Sequence, residues 1–127
     1  VVTAYGIVPR LNLHWVWDGA LAERAITAAD PPLVRRYSAE ERAALAGGEA
    51  ADWGRESWEL SRGFVYANAL GREPVPGQKA ETAALTQEAI AAALPIAERR
   101  IVQAGLRIAG LLETALAPGA LPDPAPR

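Results

Sequence analysis

The sequence predicts an all-α domain, and three observations support this fold class. Alanine, the best helix former, supplies much of the 50% of the composition that is apolar. Beyond residue 11, prolines and glycines divide the chain into segments of helical length. The longest apolar-leaning stretch, residues 101–116, carries Gln103, Arg107 and Glu113. Such a stretch is typical of a packed helix and not of a membrane span.

The N-terminal segment is the exception to this helical pattern. Residues 1–8 are largely β-branched, aromatic or small and end at Pro9, which predicts a short strand. We expect it to form one arm of a hairpin whose partner lies upstream, because no later segment predicts a second strand. The expected fold is therefore a helical bundle with a short N-terminal strand or hairpin arm.

Start and stop signals place the helices in order. Asn12 is a suitable N-cap for a helix over 13–27, and a short helix is expected over 32–37. Ser38 and Glu41 form a capping box for a helix that ends at Gly47. A longer helix follows over 50–70.

Pro95 is expected to separate the last two helices, over 79–93 and 96–116. An apolar stripe on the last helix predicts its packed face: Ile101, Ala104, Leu106, Ile108, Leu111, Leu112 and Leu116. Residues 118–127 contain four prolines and are predicted to be a disordered tail, which leaves 1–117 as the folded part.

Charge and cysteine content limit the chemistry. The net charge of −2 gives no general attraction for polyanions, so nucleic acid could be bound only through a metal ion or a local basic patch. With no cysteine in the chain, any zinc ion would need His, Asp or Glu ligands. We expect neither a signal peptide nor a membrane span within this sequence.

His14 and Asp18 are the strongest candidate site residues. They are four residues apart at the start of a helix, so they share one face and can bind one divalent cation together. The alternative is an ordinary hydrogen-bonded pair in which His14 donates to Asp18. The pair has four apolar neighbours in the sequence, Leu13, Trp15, Val16 and Trp17. These neighbours predict water-poor surroundings for the pair, which favour a bound ion. One or both tryptophans are expected in the core.

A second polar cluster lies between Trp53 and Trp58, where Glu56 is expected to orient neighbouring groups. Arg99, Arg100 and Arg107 are expected on a solvated face, with their aliphatic stems over apolar surface.

Three segments resemble one known family. Residues 12–18, Asn-Leu-His-Trp-Val-Trp-Asp, resemble the NLHxxWD motif of the zinc-dependent single-strand nucleases and 3′-nucleotidases. Residues 53–57, followed by Val65 and Tyr66, are similar to that family's WAxES…vY segment. Residues 97–109 resemble its closing helix, close to QLxxAGxRLAxxLN. The family includes fungal, plant and bacterial enzymes and shares its helical fold with bacterial zinc phospholipases C.

This resemblance implies a cleft that holds three zinc ions, with His14 and Asp18 as ligands of one of them. Asn12, Trp17 and Glu56 would support those ligands. Ala20 stands where many relatives carry an Asn that contacts the nucleobase, so the nucleotide-binding residues stay open.

A further ligand would come from an upstream HFxGDxxQPLH segment, which this sequence does not contain. We therefore expect residues 1–117 to be the C-terminal half of the domain, completed by the same protein or by a companion chain. Alone, the chain is expected to bind zinc weakly and to be inactive.

The expected function is a secreted or periplasmic zinc-dependent phosphodiesterase that cleaves single-stranded DNA or RNA and 3′-nucleotides. Two alternatives remain. One is a non-catalytic helical interaction module or inactive fragment, in which His14 and Asp18 are a structural pair; the other is a zinc phospholipase C-like hydrolase. An exposed apolar face is expected to cause self-association unless a partner covers it.

Overall fold

Four helices carry the fold in the computed structural model, which describes residues 2–3, 12–72, 75, 77 and 83–118. Helix α1 covers 13–27 as three continuous segments, of which the middle one, Val16–Leu21, has π-helical hydrogen bonding. After a 3₁₀ turn at Leu33–Arg36 come α2 (Ala39–Ala46), α3 (50–70, with a π segment at Ser61–Val65) and α4 (Gln87–Ala115). The all-α prediction is confirmed.

The predicted N-terminal strand is present, and the partner that the structure describes for it is not a hairpin neighbour. Val2–Thr3 forms a strand, β1, that pairs in parallel with β2, Ala83–Ala84. The partner lies far downstream, in a segment that the sequence assigned to a helix. Parallel pairing joins residues distant in the chain, so no turn signal beside either strand could indicate it. Residues 4–11 lie outside the described residues.

Local signals at the helix ends are confirmed. The Ser38 hydroxyl accepts a hydrogen bond from the Glu41 amide (3.1 Å), and the Glu41 carboxylate accepts one from the Ser38 amide (2.7 Å). This capping box starts α2 where predicted. Helix α3 ends at Leu70, and the next residue, Gly71, has a φ of 67°, which suits a residue without a Cβ.

The last two predicted helices are one. Helix α4 begins at Gln87, capped by Thr86, and continues through Pro95 without a break. Proline cannot donate the hydrogen bond that a helix interior expects, and this loss costs about 3 kcal/mol. Pro95 lies on the exposed side of α4, where water can bond the freed carbonyl. Tertiary packing of the buried side therefore holds the helix together.

The core consists of two clusters along the length of α4. Val16 and Leu21 of α1 pack on Ile90, Ala93 and Ala97 of α4. Further along, Val102 packs with two residues from the 3₁₀ turn and from α2, Leu33 and Leu45. Helix α4 is thus the common support for the other elements.

The predicted apolar stripe on α4 is partly wrong. Ile101 and Leu106 pack against the second cluster, but five of the seven expected core residues are exposed: Ala104, Ile108, Leu111, Leu112 and Leu116. Self-association through this face stays a prediction. In the described part of the chain, no helix has the length and apolarity that crossing a membrane requires.

Candidate metal and phosphate site

The N-terminus of α1 is fixed by Asn12. Its side-chain oxygen accepts a hydrogen bond from the Trp15 amide at 2.8 Å, which satisfies one of the free donors of the first turn. The backbone of Asn12 is extended, so the helix starts at Leu13. This cap places His14 in the first turn of α1.

One side of α1 is anchored in the core. Val16 and Leu21 are buried, and Leu13 packs beside them. The Trp17 ring meets the Phe64 ring of α3 edge to face, with 6.4 Å between centroids and an interplanar angle of 90°. These contacts fix the rotation of α1, so the residues on its other side face solvent.

His14 and Asp18 lie together on that open side. The Nε2 atom of His14 is 3.0 Å from Oδ2 of Asp18, and the two side chains are 84% and 66% exposed. The predicted pairing is present, but the expectation of water-poor surroundings is wrong. Of the four apolar neighbours, Val16 is buried and Trp15 is 47% exposed. The helix turns Leu13, Val16 and Trp17 towards the core and leaves the polar pair, like Trp15, exposed.

The pair fits two positions of a zinc site. On a tetrahedral zinc ion, a histidine nitrogen and a carboxylate oxygen lie about 3.4 Å apart, given bond lengths of about 2.0–2.2 Å. The observed 3.0 Å needs to widen by only a few tenths of an ångström, and both side chains are free to adjust at the surface. Among the described residues, no group of three or more His, Cys, Asp or Glu is placed to hold a metal ion.

Glu56 of α3 belongs to an ion-pair cluster with α4. Its two carboxylate oxygens accept hydrogen bonds from both terminal nitrogens of Arg107, each at 2.8 Å. Arg100 donates a further bond to Glu56 at 2.8 Å and others to Ser57 and Gln103. Both oxygens of Glu56 are therefore engaged by guanidinium groups.

These contacts set the ionisation of Glu56. Hydrogen bonding to Arg107 is the largest influence, and together with Arg100 it outweighs partial burial and lowers the pKa of Glu56 to about 2. The carboxyl group is an anion at any physiological pH. Its role in the described structure is to neutralise two cations and to join α3 to α4.

Arg107 contradicts the expectation of a solvated face. Its side chain is only 7% exposed, and its guanidinium carbon lies 5.1 Å from the centroid of the Trp53 ring. The Trp53 indole donates to the Gly47 carbonyl at 2.9 Å, which fixes the ring beneath the cation. Arg100 is likewise half-buried. Arg100 and Arg107 were expected on the surface because the sequence alone does not show that the Glu56 carboxylate faces them.

A helical pattern in the sequence does indicate this cluster. Arg100, Gln103 and Arg107 are spaced i, i+3, i+7, so they share one face of α4. Gln103 and Arg107 are the buried polar residues of that face. Two arginines on the inward face of a helix require an anion on the facing element, and Glu56 is that anion.

Comparisons with known proteins point to one family. The family model described as S1/P1 Nuclease matches residues 4–117 of this chain. No curated protein and no solved structure gave a significant match. The family match includes the His14–Asp18 pair, the Glu56 cluster and all of α4, and it agrees with the helical fold. The chain belongs to the S1/P1 nuclease family, whose members are nucleic-acid hydrolases.

Proposed function

We propose that this nuclease is zinc-dependent and that His14 and Asp18 are two protein ligands of one zinc ion. The observation that carries this proposal is the exposed pair, with Nε2 and Oδ2 3.0 Å apart at a fixed position on α1. Imidazole nitrogen and carboxylate oxygen are established zinc ligands. Family membership favours a hydrolase over a non-catalytic helical module.

The chain's own residues would position the reacting phosphate. Asn12 fixes the start of α1, and Val16 and Trp17 fix its rotation, so His14 and Asp18 reach the ion from one helix face. A bound zinc ion supplies positive charge that stabilises the negative charge developing on a phosphate ester. This chemistry explains how a chain with a net charge of −2 can act on a polyanion.

The pair needs further ligands. Catalytic zinc sites usually have three protein ligands, and the described residues offer two. We propose that the remaining ligands lie outside the described residues and that the pair alone binds zinc weakly. The proposed substrates are single-stranded nucleic acids and 3′-nucleotides, and the proposed location is secreted or periplasmic.

Zinc binding can be measured directly because His14 is the only histidine. In a ¹⁵N-labelled sample, the imidazole signals belong to His14 alone. Titration with zinc should shift them, and Asp18→Asn should weaken the apparent affinity by at least about tenfold, since loss of even an indirect partner costs that much. Glu23→Gln, which removes an exposed carboxylate from the same helix, is the matched control.

Two results would count against the proposal. Unshifted His14 signals at millimolar zinc would exclude His14 as a ligand, and equal affinities of the Asp18→Asn and Glu23→Gln variants would exclude Asp18. Substrate class is tested separately, with single-stranded DNA, adenosine 3′-monophosphate and phosphatidylcholine vesicles in the presence of zinc. Hydrolysis of the lipid alone would favour the phospholipase alternative.

A further inference from the structure

We propose that one exposed side of α3 is a metal-independent binding surface for single-stranded nucleic acid, separate from the metal-ligand pair on α1. This α3 surface has four members: Arg55, Trp58, Glu59 and Arg62. The inference deepens the proposed function, on which it rests for the class of ligand. The observations behind it are the exposure of the four residues, the contact between Trp58 and Arg62, and the two guanidinium groups that no carboxylate neutralises.

The four residues form a row along α3. From Arg55 to Arg62 they are spaced i, i+3, i+4 and i+7, so they share one side of the helix. All four are exposed, in contrast to Glu56, which faces α4. At a rise of 1.5 Å per residue, the row is about 10 Å long, which is about the length of three stacked nucleotides. Tyr66, 48% exposed, follows four residues after Arg62 and is a second open aromatic ring on this helix.

Trp58 and Arg62 form a contact pair that a nucleotide can use. The guanidinium carbon of Arg62 lies 5.3 Å from the centroid of the Trp58 ring, and Trp58 is 59% exposed. The cation restrains the ring, while more than half of the side chain stays open to solvent. A base can stack on such a ring, and the adjacent guanidinium can bind the phosphate of the same strand.

The arginines of the α3 surface are not neutralised. Arg100 and Arg107 are both paired with Glu56, whereas within the described part of the chain neither Arg55 nor Arg62 forms an ion pair. Two such guanidinium groups about 10 Å apart suit the phosphates of one strand.

Glu59 is the one carboxylate on the α3 surface and opposes a polyanion. Arg99 of α4 lines the same groove as Glu59 and adds a further cation beside the row. The surface therefore carries a local positive excess on a chain whose net charge is −2. This charge favours a polyanion over an acidic or neutral protein surface as the occupant.

An aromatic ring between two free arginines binds a strand without reading its sequence. Every base has an aromatic face, and the arginines contact only the backbone. Binding of this kind needs no zinc. A strand held on α3 has its remaining length near the protein, which raises the local concentration of substrate at the proposed zinc site.

Fluorescence anisotropy of a labelled oligothymidylate of about ten nucleotides tests the α3 surface. Low salt and EDTA remove any contribution from zinc. The wild type should bind, and Trp58→Ala should weaken binding by about 5- to 150-fold, as loss of one stacked base does, whereas Trp58→Phe should retain most of the affinity. Arg62→Gln should reduce the slope of log affinity against log salt by about 0.7. Glu59→Gln should tighten binding, because it removes an anion from the surface.

Two variants elsewhere on the chain are matched controls. Trp15→Ala removes an indole that is 47% exposed on α1, and Arg35→Gln removes an exposed arginine from the 3₁₀ turn. Both should bind the oligonucleotide as the wild type does. A strand of the same length without bases should bind equally to the wild type and to Trp58→Ala, because it has phosphates and nothing to stack.

Each other result has a distinct meaning. No binding by the wild type in EDTA, or equal losses in the control variants, overturns the α3 surface and leaves zinc binding by His14 to its own titration. If Trp58→Ala converts a dimer into a monomer in analytical ultracentrifugation without changing oligonucleotide affinity, the surface joins two copies of the chain and the proposal is wrong. Circular dichroism checks the fold, and Glu59→Gln and Arg62→Gln keep the proposal falsifiable should Trp58→Ala unfold.

Discussion

Replacing Glu56 with glutamine tests whether the ion-pair cluster holds α3 against α4. Glutamine keeps the size of the side chain and removes its charge. Arg107, 7% exposed, then loses the anion that neutralises it, and Arg100 loses one of its acceptors. A buried cation without its partner is costly, so we expect Glu56→Gln to destabilise the fold.

The magnitude follows from the pKa of Glu56. A pKa lowered from the ordinary glutamate value of about 4.3 to about 2 corresponds to about 3 kcal/mol of stabilisation at full conversion. The Glu56 side chain is 39% exposed, so solvent screening reduces this contribution by about half. Adding the penalty for the unpaired Arg107, we expect a loss of about 2 kcal/mol in the free energy of unfolding.

Thermal unfolding followed by circular dichroism at neutral pH measures this loss. A chain of this size should show a decrease in Tm of about 6–10 °C. Glu59→Gln is the matched control, because Glu59 is an exposed carboxylate on the same helix, and its effect should be within about 0.5 kcal/mol.

The pH dependence gives an independent check. Because the pKa of Glu56 is lowered by folding, its contribution is complete above about pH 4.3 and is lost as the pH falls towards about 2. The Tm difference between the wild type and Glu56→Gln should therefore shrink across that range. Equal Tm values for Glu56→Gln and Glu59→Gln at neutral pH, or a difference that grows on acidification, would refute the reasoning.

Two further predictions concern the backbone. Gly48 has a φ of 86°, and a Cβ there would lie 3.1 Å from the Trp53 indole nitrogen, so Gly48→Ala should destabilise the fold by about 1–2 kcal/mol in urea unfolding. Gly54→Ala is the control with the opposite sign. Apart from the adjoining backbone of α3 itself, no atom lies within 4 Å of a Cβ at that position, and a gain of about 0.5–1 kcal/mol is expected. Pro95→Ala should stabilise α4 by up to about 3 kcal/mol, because it restores a helix hydrogen bond at an exposed position. An unchanged unfolding midpoint in Gly48→Ala, or a lowered one in Pro95→Ala, would contradict these arguments.

Local chemistry made parts of this fold predictable from the sequence. Three helix-end signals act through contacts within a few residues: the Asn12 cap, the Ser38–Glu41 capping box and Gly71. The sequence alone therefore predicts where these helices begin or end. The spacing of His14 and Asp18 likewise determines that they share a helix face. The family resemblance likewise rests on short segments, one of which contains Asn12, His14 and Asp18, and it agrees with the match to S1/P1 nucleases.

The tertiary structure decided what depends on distant partners. The pairing of β1 with β2, the continuity of α4 through Pro95 and the burial of Arg107 each require contacts with residues far away in the chain. Exposure of His14 and Asp18 followed from the rotation of α1 on its core residues, which a list of apolar neighbours does not reveal. Short-range hydrogen bonds can be predicted from the few neighbouring residues that form them. Burial and charge pairing between helices depend on how the helices pack, which only the tertiary structure shows.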